Sequence, residues 1–252
     1  MNNNNWSGWF FLDKPIGVTS NFALQKIKRI FNNSKAGFVG TLDPLASGFL
    51  PVALGKATKL IPFIEKCDKR YLFTVRWGIK TETGDSEGKV IKESNIIPSE
   101  TDIVKALSNF SGKIEQFPHK YSSVKINGQR AHKLARKNMK FQLKKRQIKV
   151  NKFTLTNNVS EKLASFFIDC SAGTYVRSLA ESLGESLGTL ATVVELRRIG
   201  FNNFNKKLIS LDYLLSLVHS DELKRLVHPI DAVMNNILKI QLDYNQVKKV
   251  LS

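Results

Sequence analysis

Asp43 is the single acidic residue in a long basic stretch of the sequence. No other Asp or Glu occurs from Lys14 to Ile64, whereas seven Lys or Arg residues do. An ionised carboxylate can act as a nucleophile at an electron-poor carbon. Asp43 falls in a Gly- and Pro-rich segment at 37–48 that predicts a loop, where functional groups are often presented. Because Asp before Pro also commonly starts a turn, the residue alone leaves a structural role open.

A second stretch without acidic residues, between Glu115 and Glu161, contains twelve Lys or Arg residues. Tyr121, His132 and Phe141 are interspersed among them. Basic side chains that neutralise phosphates release condensed counterions, which makes such a stretch suited to tracking a nucleic-acid backbone. A solvated surface is the alternative interpretation, although such surfaces usually mix charges of both signs.

Two further segments place side chains typical of a binding site beside predicted elements. Gly173-Thr174-Tyr175-Val176-Arg177 lies at a predicted strand-to-helix junction, where Arg177 could pair with a carboxylate through two hydrogen bonds. Tyr71 opens an alternating strand and could stack on a base. Taken alone, Arg177 could also be an ordinary surface arginine, and Tyr71 could be an aromatic residue of the core.

The composition limits the types of protein to which this chain can belong. With 252 residues and 42% hydrophobic side chains, the chain can bury the core of one large domain or two smaller ones. The 39 Lys+Arg against 21 Asp+Glu give a net charge of +18, which favours a polyanionic partner. The alternatives are binding to a membrane surface and an organism whose proteins are basic in general. Two Cys and four scattered His predict neither a disulfide framework nor a metal site. The absence of a long apolar run or signal peptide predicts a cytoplasmic protein.

Strands and helices alternate irregularly, with hairpin-like pairs among them. Periodicity predicts strands at residues 8–12, 69–79, 148–155, 163–170 and 191–199. It predicts helices opened by Thr19 or Ser20 with Phe22 on the apolar face, by Ser99 as far as Phe110, at 174–187 and from 210 onward. This order predicts the α+β class, with a mixed, largely antiparallel central sheet and flanking helices.

A set of motifs, in this order and spread over nearly the whole chain, resembles the TruB family of bacterial tRNA pseudouridine-55 synthases. The motifs are Leu12-Asp13-Lys14-Pro15, Gly40-Thr41-Leu42-Asp43-Pro44-Leu45-Ala46-Ser47-Gly48, Leu54-Gly55-Lys56-Ala57-Thr58-Lys59, Lys69-Arg70-Tyr71, Tyr121-Ser122-Ser123-Val124-Lys125, Gly173-Thr174-Tyr175-Val176-Arg177-Ser178-Leu179 and Leu196-Arg197-Arg198. The resemblance implies a pseudouridine synthase fold.

The resemblance also implies a reaction. The family flips a uridine of the tRNA T-loop out of its stack, at position 55, and an aspartate assists cleavage of the glycosidic bond before the uracil rejoins through carbon 5. Asp43 matches that aspartate, either as a nucleophile at the sugar or in another role there. No metal and no cofactor is implied, because the reaction is an isomerisation.

The remaining site residues come from the same resemblance. Tyr71 matches the tyrosine that packs against the flipped base, and Arg177 matches the arginine that pairs with the aspartate. Tyr175 and Leu196 match positions that line the uridine pocket. Lys14 matches a motif lysine with a supporting role.

Two positions depart from the family pattern. Phe38 stands where the family usually has the His that fills the gap left by the flipped nucleotide, and a Phe can stack there but cannot hydrogen-bond. We expect flipping to survive, with selectivity as the property at stake. His132 stands where the family commonly has a Tyr.

The predicted organisation is a catalytic domain at 1–209 and a short C-terminal helical extension at 210–252, with no complete PUA-type domain. The expected partner is the T-arm of tRNA, bound by a monomer without membrane or metal. Two alternatives remain beside the enzyme: an RNA-binding tRNA-folding chaperone, and a related synthase that acts on another RNA.

Overall fold

The computed structural model describes residues 6–160, 162–202, 204, 207–217, 222–234 and 242–251. Its strands are β1 (Gly8–Lys14), β2 (Ala36–Phe38), β3 (Ala46–Leu54), β4 (Lys69–Trp77), β5 (Ile79–Thr81), β6 (Val90–Glu93), β7 (Gly112–Gln116), β8 (Lys125–Ile126), β9 (Gln129–Arg130), β10 (Arg146–Ser160), β11 (Leu163–Cys170), β12 (Ala191–Phe201) and β13 (Ile209–Ser210). Its α-helices are α1 (Ser20–Ile30), α2 (Ile61–Ile64), α3 (Glu100–Leu107), α4 (Ala131–Arg136), α5 (Val176–Ser186), α6 (Leu211–Ser216), α7 (Glu222–Leu226) and α8 (Tyr244–Leu251). Short 3-10 helices span Gly55–Leu60, Ser108–Phe110 and Ile230–Val233.

One nine-stranded mixed sheet organises the molecule. Its order is β13-β1-β3-β12-β4-β11-β10-β7, and β2 pairs with the end of β3. The pairs β1–β13 and β3–β12 are parallel, and the other pairs within this sheet are antiparallel. Two small hairpins, β5–β6 and β8–β9, lie outside it. The predicted α+β class with a largely antiparallel sheet is confirmed.

Both faces of the sheet carry apolar side chains because residues alternate along each strand. On β1, Phe10 and Leu12 join a large core with residues of α1, α3 and α5, whereas Trp9 and Phe11 join a smaller cluster on the opposite face. The large core therefore lies between the sheet and its helices.

Helix α1 begins where its capping residue predicts. The Thr19 side chain accepts a hydrogen bond from the Phe22 backbone N–H, so Thr19 is the N-cap. The buried face of the helix includes Ala23, Leu24 and Ile27, but Phe22 is 48% exposed. The prediction that Phe22 lies on the apolar face was wrong, because at about 100° per residue Phe22 lies roughly 140° around the helix from the buried Ile27.

The predicted loop at 37–48 is shorter than expected. Its first residues belong to β2 and its last to β3, which leaves 39–45 as the loop. Strand β3 contains Gly48 and Pro51, which are typical of loops. Gly48 is required by close approach: a Cβ there would lie 2.2 Å from the Arg198 carbonyl oxygen of neighbouring β12, at φ +101°.

Strand β13 and helix α6, which follow residue 208, belong to the same sheet and core. Strand β13 pairs with Leu12 and Asp13 of β1, and Leu211 and Leu214 of α6 are buried in the large core. The division of the chain at residue 210 stays a prediction. Residues 218–221, 235–241 and 252 of the predicted extension lie outside the described residues. Within the described part, no helix is long and apolar enough to cross a membrane.

Candidate active site

The loop that carries Asp43 is fixed by two buried polar side chains. Lys14, at the end of β1 and fully buried, donates from Nζ to the backbone carbonyls of Pro15 at 2.8 Å, Val18 at 2.7 Å and Pro44 at 3.4 Å. A second clamp is made by the Ser20 hydroxyl, which bonds both the N–H and the carbonyl of one loop residue, each at 2.9 Å.

That residue is Leu42, directly before Asp43. These bonds hold the loop from both sides of the carboxylate, which itself stays 37% exposed. Burial lowers the pKa of Lys14 to about 8, against the opposing attraction of Asp43 and Glu87.

Arg177 forms an ion pair with Asp43. It lies in the first turn of α5, is buried, and approaches the Asp43 Oδ2 with its Nη2 at 2.7 Å. The same guanidinium donates to the backbone carbonyls of Thr83 at 2.8 Å and Tyr121 at 3.2 Å. The predicted pairing of Arg177 with a carboxylate is thus present in the structure.

A second carboxylate, which sequence reasoning missed, shares this guanidinium. Asp85 is 2% exposed, and its Oδ2 lies 3.1 Å from the Arg177 Nη1. Thr83 donates its hydroxyl to the other carboxylate oxygen, Oδ1. The only sequence signal was an Asp in the Gly-containing turn after Thr83, which does not distinguish a site from an ordinary turn. Burial, together with the nearby Asp85 and Asp43, raises the pKa of Glu87 in the same turn.

Tyr71 lies on the central strand β4 and is 7% exposed. In the register of the sheet it is opposite Arg198 of β12. Burial raises the pKa of Tyr71 above its ordinary value, so the phenol stays neutral near neutral pH. Arg198 is fully buried and donates to the carbonyls of Phe49 at 2.6 Å and Gly40 at 3.0 Å, which joins the strands to the start of the Asp43 loop.

Tyr175 is the N-cap of α5, and a buried side chain that the sequence did not single out fixes its backbone. Gln116, at the end of β7, accepts from the Tyr175 N–H and donates to the Tyr175 carbonyl, both at 2.9 Å. This two-bond clamp positions the start of α5, and with it Arg177.

A cavity of about 100 Å³ lies where these elements meet. It is lined by Thr41, Leu42, Asp43, Tyr71, Ser122, Ser123, Thr174, Tyr175, Val176, Arg177 and Leu196. Ligand pockets of drug size hold roughly 300–1,000 Å³, so this space suits a single small ring. Five of the seven predicted site residues therefore come together here from four separate segments of the chain.

The other two predicted site residues lie elsewhere. Lys14 supports the Asp43 loop through its carbonyls and is not part of the cavity lining. Phe38 is half-buried in β2, opposite Val52, where it packs against the large core and does not line the cavity. In the described part of the chain, no group of three or more His, Cys, Asp or Glu side chains could hold a metal ion.

The sequence matches two family descriptions in succession. Residues 28–176 match the TruB family pseudouridylate synthase, N-terminal domain, and residues 177–235 match the tRNA pseudouridylate synthase B C-terminal domain. The chain belongs to the TruB family. It is therefore a tRNA pseudouridine synthase, an enzyme that isomerises uridine to pseudouridine.

Curated relatives agree over most of this chain. The tRNA pseudouridine synthase B of Ehrlichia ruminantium (strain Gardel) is 41% identical over 232 residues, which are 91% of this chain and 78% of that protein. The tRNA pseudouridine synthase B of Ehrlichia chaffeensis (strain ATCC CRL-10679 / Arkansas) is 41% identical over 247 residues, which are 96% of this chain and 83% of that protein.

Solved structures show the same fold. A chain of a Cbf5-Nop10-Gar1 complex superposes with a TM-score of 0.68 at 28% identity, over 90% of this chain and 61% of that one. A chain of an H/ACA RNP bound to a substrate RNA containing 2'-deoxyuridine gives a TM-score of 0.66 at 25% identity, over 92% of this chain and 67% of that one. The predicted pseudouridine synthase fold of the TruB enzyme is confirmed.

Proposed function

We propose that this TruB enzyme acts on the uridine at position 55 in the T-loop of tRNA, with Asp43 as the residue that assists glycosidic-bond cleavage. The observation that carries the proposal is the ion pair between Asp43 and Arg177 beside Tyr71, at a cavity the size of one base. A uridine flipped out of its stack would bring its ring into this cavity and its sugar to the Asp43 carboxylate.

The chemistry divides between the residues of the cavity. Asp43 acts at the sugar, where its carboxylate assists the break between the ribose and the base nitrogen. The freed uracil stays between Tyr71 and Leu196, turns, and forms a new bond from its carbon 5 to the ribose. Carbon 5 then loses its proton, and the nitrogen released from the ribose gains one, so the product is an isomer of the substrate. Arg177 orients the carboxylate throughout, because its guanidinium is fixed by two backbone carbonyls as well.

The basic segment between β7 and β10 supports a tRNA partner. All nine of its Lys and Arg residues are exposed, as are Arg146, Lys149 and Lys152 of β10 itself. The segment also reaches the cavity, since Ser122 and Ser123 form part of the lining. The phosphates of a T-arm would therefore lie along the same segment that lines the cavity for the flipped base.

The experiment is a tritium-release assay on tRNA labelled at uridine carbon 5. We expect release by the wild-type enzyme, loss of at least a thousandfold in rate for Asp43→Asn, and no change for Asp212→Asn. The last variant is the matched control, since Asp212 is an exposed carboxylate on α6. A transcript with cytidine at position 55 locates the reaction.

Continued release from that transcript would show that another uridine is the target and would overturn the position. Wild-type-like release by Asp43→Asn would overturn the role of the carboxylate. Tight tRNA binding by the wild type without any release would leave the chaperone interpretation in place of the enzyme.

A further inference from the structure

We propose that the hydroxyl of Ser122 reads the polar edge of the flipped uracil and is a substrate-recognition group of this enzyme. The inference rests on the proposed function, because it assumes that a uracil ring occupies the cavity between Asp43 and Tyr71. The cavity lining also includes the hydroxyl residues Thr41, Ser123 and Thr174, and the inference assigns recognition of the base to the buried hydroxyl of Ser122.

The observation behind it is an unpaired polar atom. Ser122 is 3% exposed and lines the cavity. Among the residues that the structure describes, its Oγ has no hydrogen-bond partner, and less than 1 Å² of the atom reaches solvent. Buried polar side chains in folded proteins are nearly always hydrogen-bonded, since an unmade bond costs stability. A hydroxyl retained in this state beside a binding cavity is explained by a partner that arrives with the substrate.

The backbone around Ser122 is held in place on both sides. The carbonyl of Tyr121 accepts from Arg177 at 3.2 Å, and the Tyr121 hydroxyl donates to Glu82 at 2.5 Å. The Ser122 carbonyl itself lies 3.1 Å from both the backbone nitrogen and the Nδ1 of His132.

The side chain, by contrast, is free of such bonds. One torsion, χ1, sets the direction of the Ser122 Oγ, and three staggered positions are open to it. Because the backbone is fixed and the hydroxyl is unbonded, the oxygen can turn towards a ligand without any movement of the chain.

The chemistry of uracil matches that of a hydroxyl. The ring carries two carbonyl oxygens and one N–H, and a serine hydroxyl can donate to the first or accept from the second. Enzymes that flip a base read it through its Watson–Crick edge. The side chains of Tyr71, Val176 and Leu196 that share the cavity supply shape and apolar contact. Ser122 adds a neutral group that can both donate and accept without carrying charge.

The test is a thermodynamic cycle that combines changes in the Ser122 side chain with changes in the polar groups of the base. Ser122→Ala and Ser122→Cys are made in the inactive Asp43→Asn background, and the dissociation constant is measured for T-stem-loop RNA carrying uridine at the target position. The same RNA is then made with 4-thiouridine, with N3-methyluridine and with 2-thiouridine, which alter the 4-oxygen, the N3–H and the 2-oxygen in turn. We expect each variant to bind the uridine RNA about tenfold more weakly, the loss for one hydrogen bond. That penalty should disappear for one of the three altered bases.

A thermal midpoint separates recognition from structure. Because the Ser122 Oγ has no partner in the free protein, Ser122→Ala should leave Tm unchanged or raise it. A fall in Tm would show a structural bond and overturn the proposal, as would an equal penalty for all four RNAs or no penalty for any. Wild-type tritium release separates the two proposals. Release with unaltered binding by Ser122→Ala removes only the role of Ser122, whereas absence of release removes the proposed function.

Discussion

At the scale of residues, the site depends on Arg177 as a shared donor. One guanidinium contacts the carboxylates of Asp43 and Asp85 and the backbone carbonyls of Thr83 and Tyr121. A lysine offers a single point charge and could not span these acceptors. The orientation of Asp43 is therefore tied to three other segments of the chain, so a change in any of them reaches the Asp43 carboxylate.

Lys14 gives the first prediction at this scale. Replacement by Met removes the donor of three partly buried hydrogen bonds, so we expect Lys14→Met to unfold at lower urea and to lose about 1–3 kcal/mol of stability at pH 7.5. The pKa of Lys14 is about 8 in the folded protein and near its ordinary 10.5 when unfolded. Between these values the unfolded state binds more protons, so the stability that this group contributes rises with pH.

The difference in unfolding free energy between the wild type and Lys14→Met should accordingly grow from pH 7.5 to pH 9.5, by on the order of 1 kcal/mol. Urea unfolding followed by circular dichroism at both pH values measures it. Lys69, whose pKa burial also lowers to about 8, is present in both proteins and cancels. A difference that shrinks as the pH rises would contradict the account of Lys14.

Site residues differ in how far the sequence reveals them. Asp43 and Arg177 were predicted as partners because their motifs resemble those of the family, and the structure places them 2.7 Å apart. Asp85 and Gln116 carry no such signal, since an Asp in a turn and a Gln at a strand end are ordinary. Their roles arise from tertiary contacts with Arg177 and with the Tyr175 backbone.

At the scale of elements, the alternating strands were predictable and β3 was not. Strand β4 alternates between core and the other face, which gives a period of two in its sequence. Strand β3 is buried on both faces and approaches β12 closely, so its sequence combines Gly and Pro with apolar residues and lacks that period. The local pattern resembles a loop because the constraint on it comes from a strand distant in the sequence.

The close approach at Gly48 predicts a large effect of a single methyl group. In Gly48→Ala the new Cβ would overlap the Arg198 carbonyl oxygen at 2.2 Å, and φ is +101°. We expect a loss of about 3 kcal/mol or more from the combined steric and backbone cost.

Gly112→Ala is the matched control. It also has a positive φ, +78°, but nothing lies within 4 Å of its Cβ position, so the loss should be about 1 kcal/mol. Urea unfolding of both variants makes the comparison. Equal losses for the two would contradict the close packing of β3 on β12.

At the scale of the whole molecule, the charge of +18 predicts a steep dependence of tRNA affinity on salt. The logarithm of the association constant should fall linearly with the logarithm of salt concentration. Replacing Lys137 and Lys140 of the basic segment by Ala should reduce the slope by about one for each charge removed.

Replacing the exposed Lys92 and Lys105, on β6 and α3, is the charge-matched control and should change the slope much less. Filter binding from 50 to 300 mM salt measures all three proteins. A flat salt dependence, or equal changes for both double variants, would contradict a phosphate contact along the segment between β7 and β10.

The parallel pairing of β3 with β12 has a consequence for the synthesis of the enzyme. It joins Arg197 to Ser47, which are 150 positions apart, and brings Leu196 to the cavity beside Asp43. Contacts of such long range form late, because the intervening chain must be closed before they stabilise anything. A chain emerging from the ribosome thus holds Asp43 from the first fifth of translation, yet has no complete cavity beside it until β12 has left the exit tunnel.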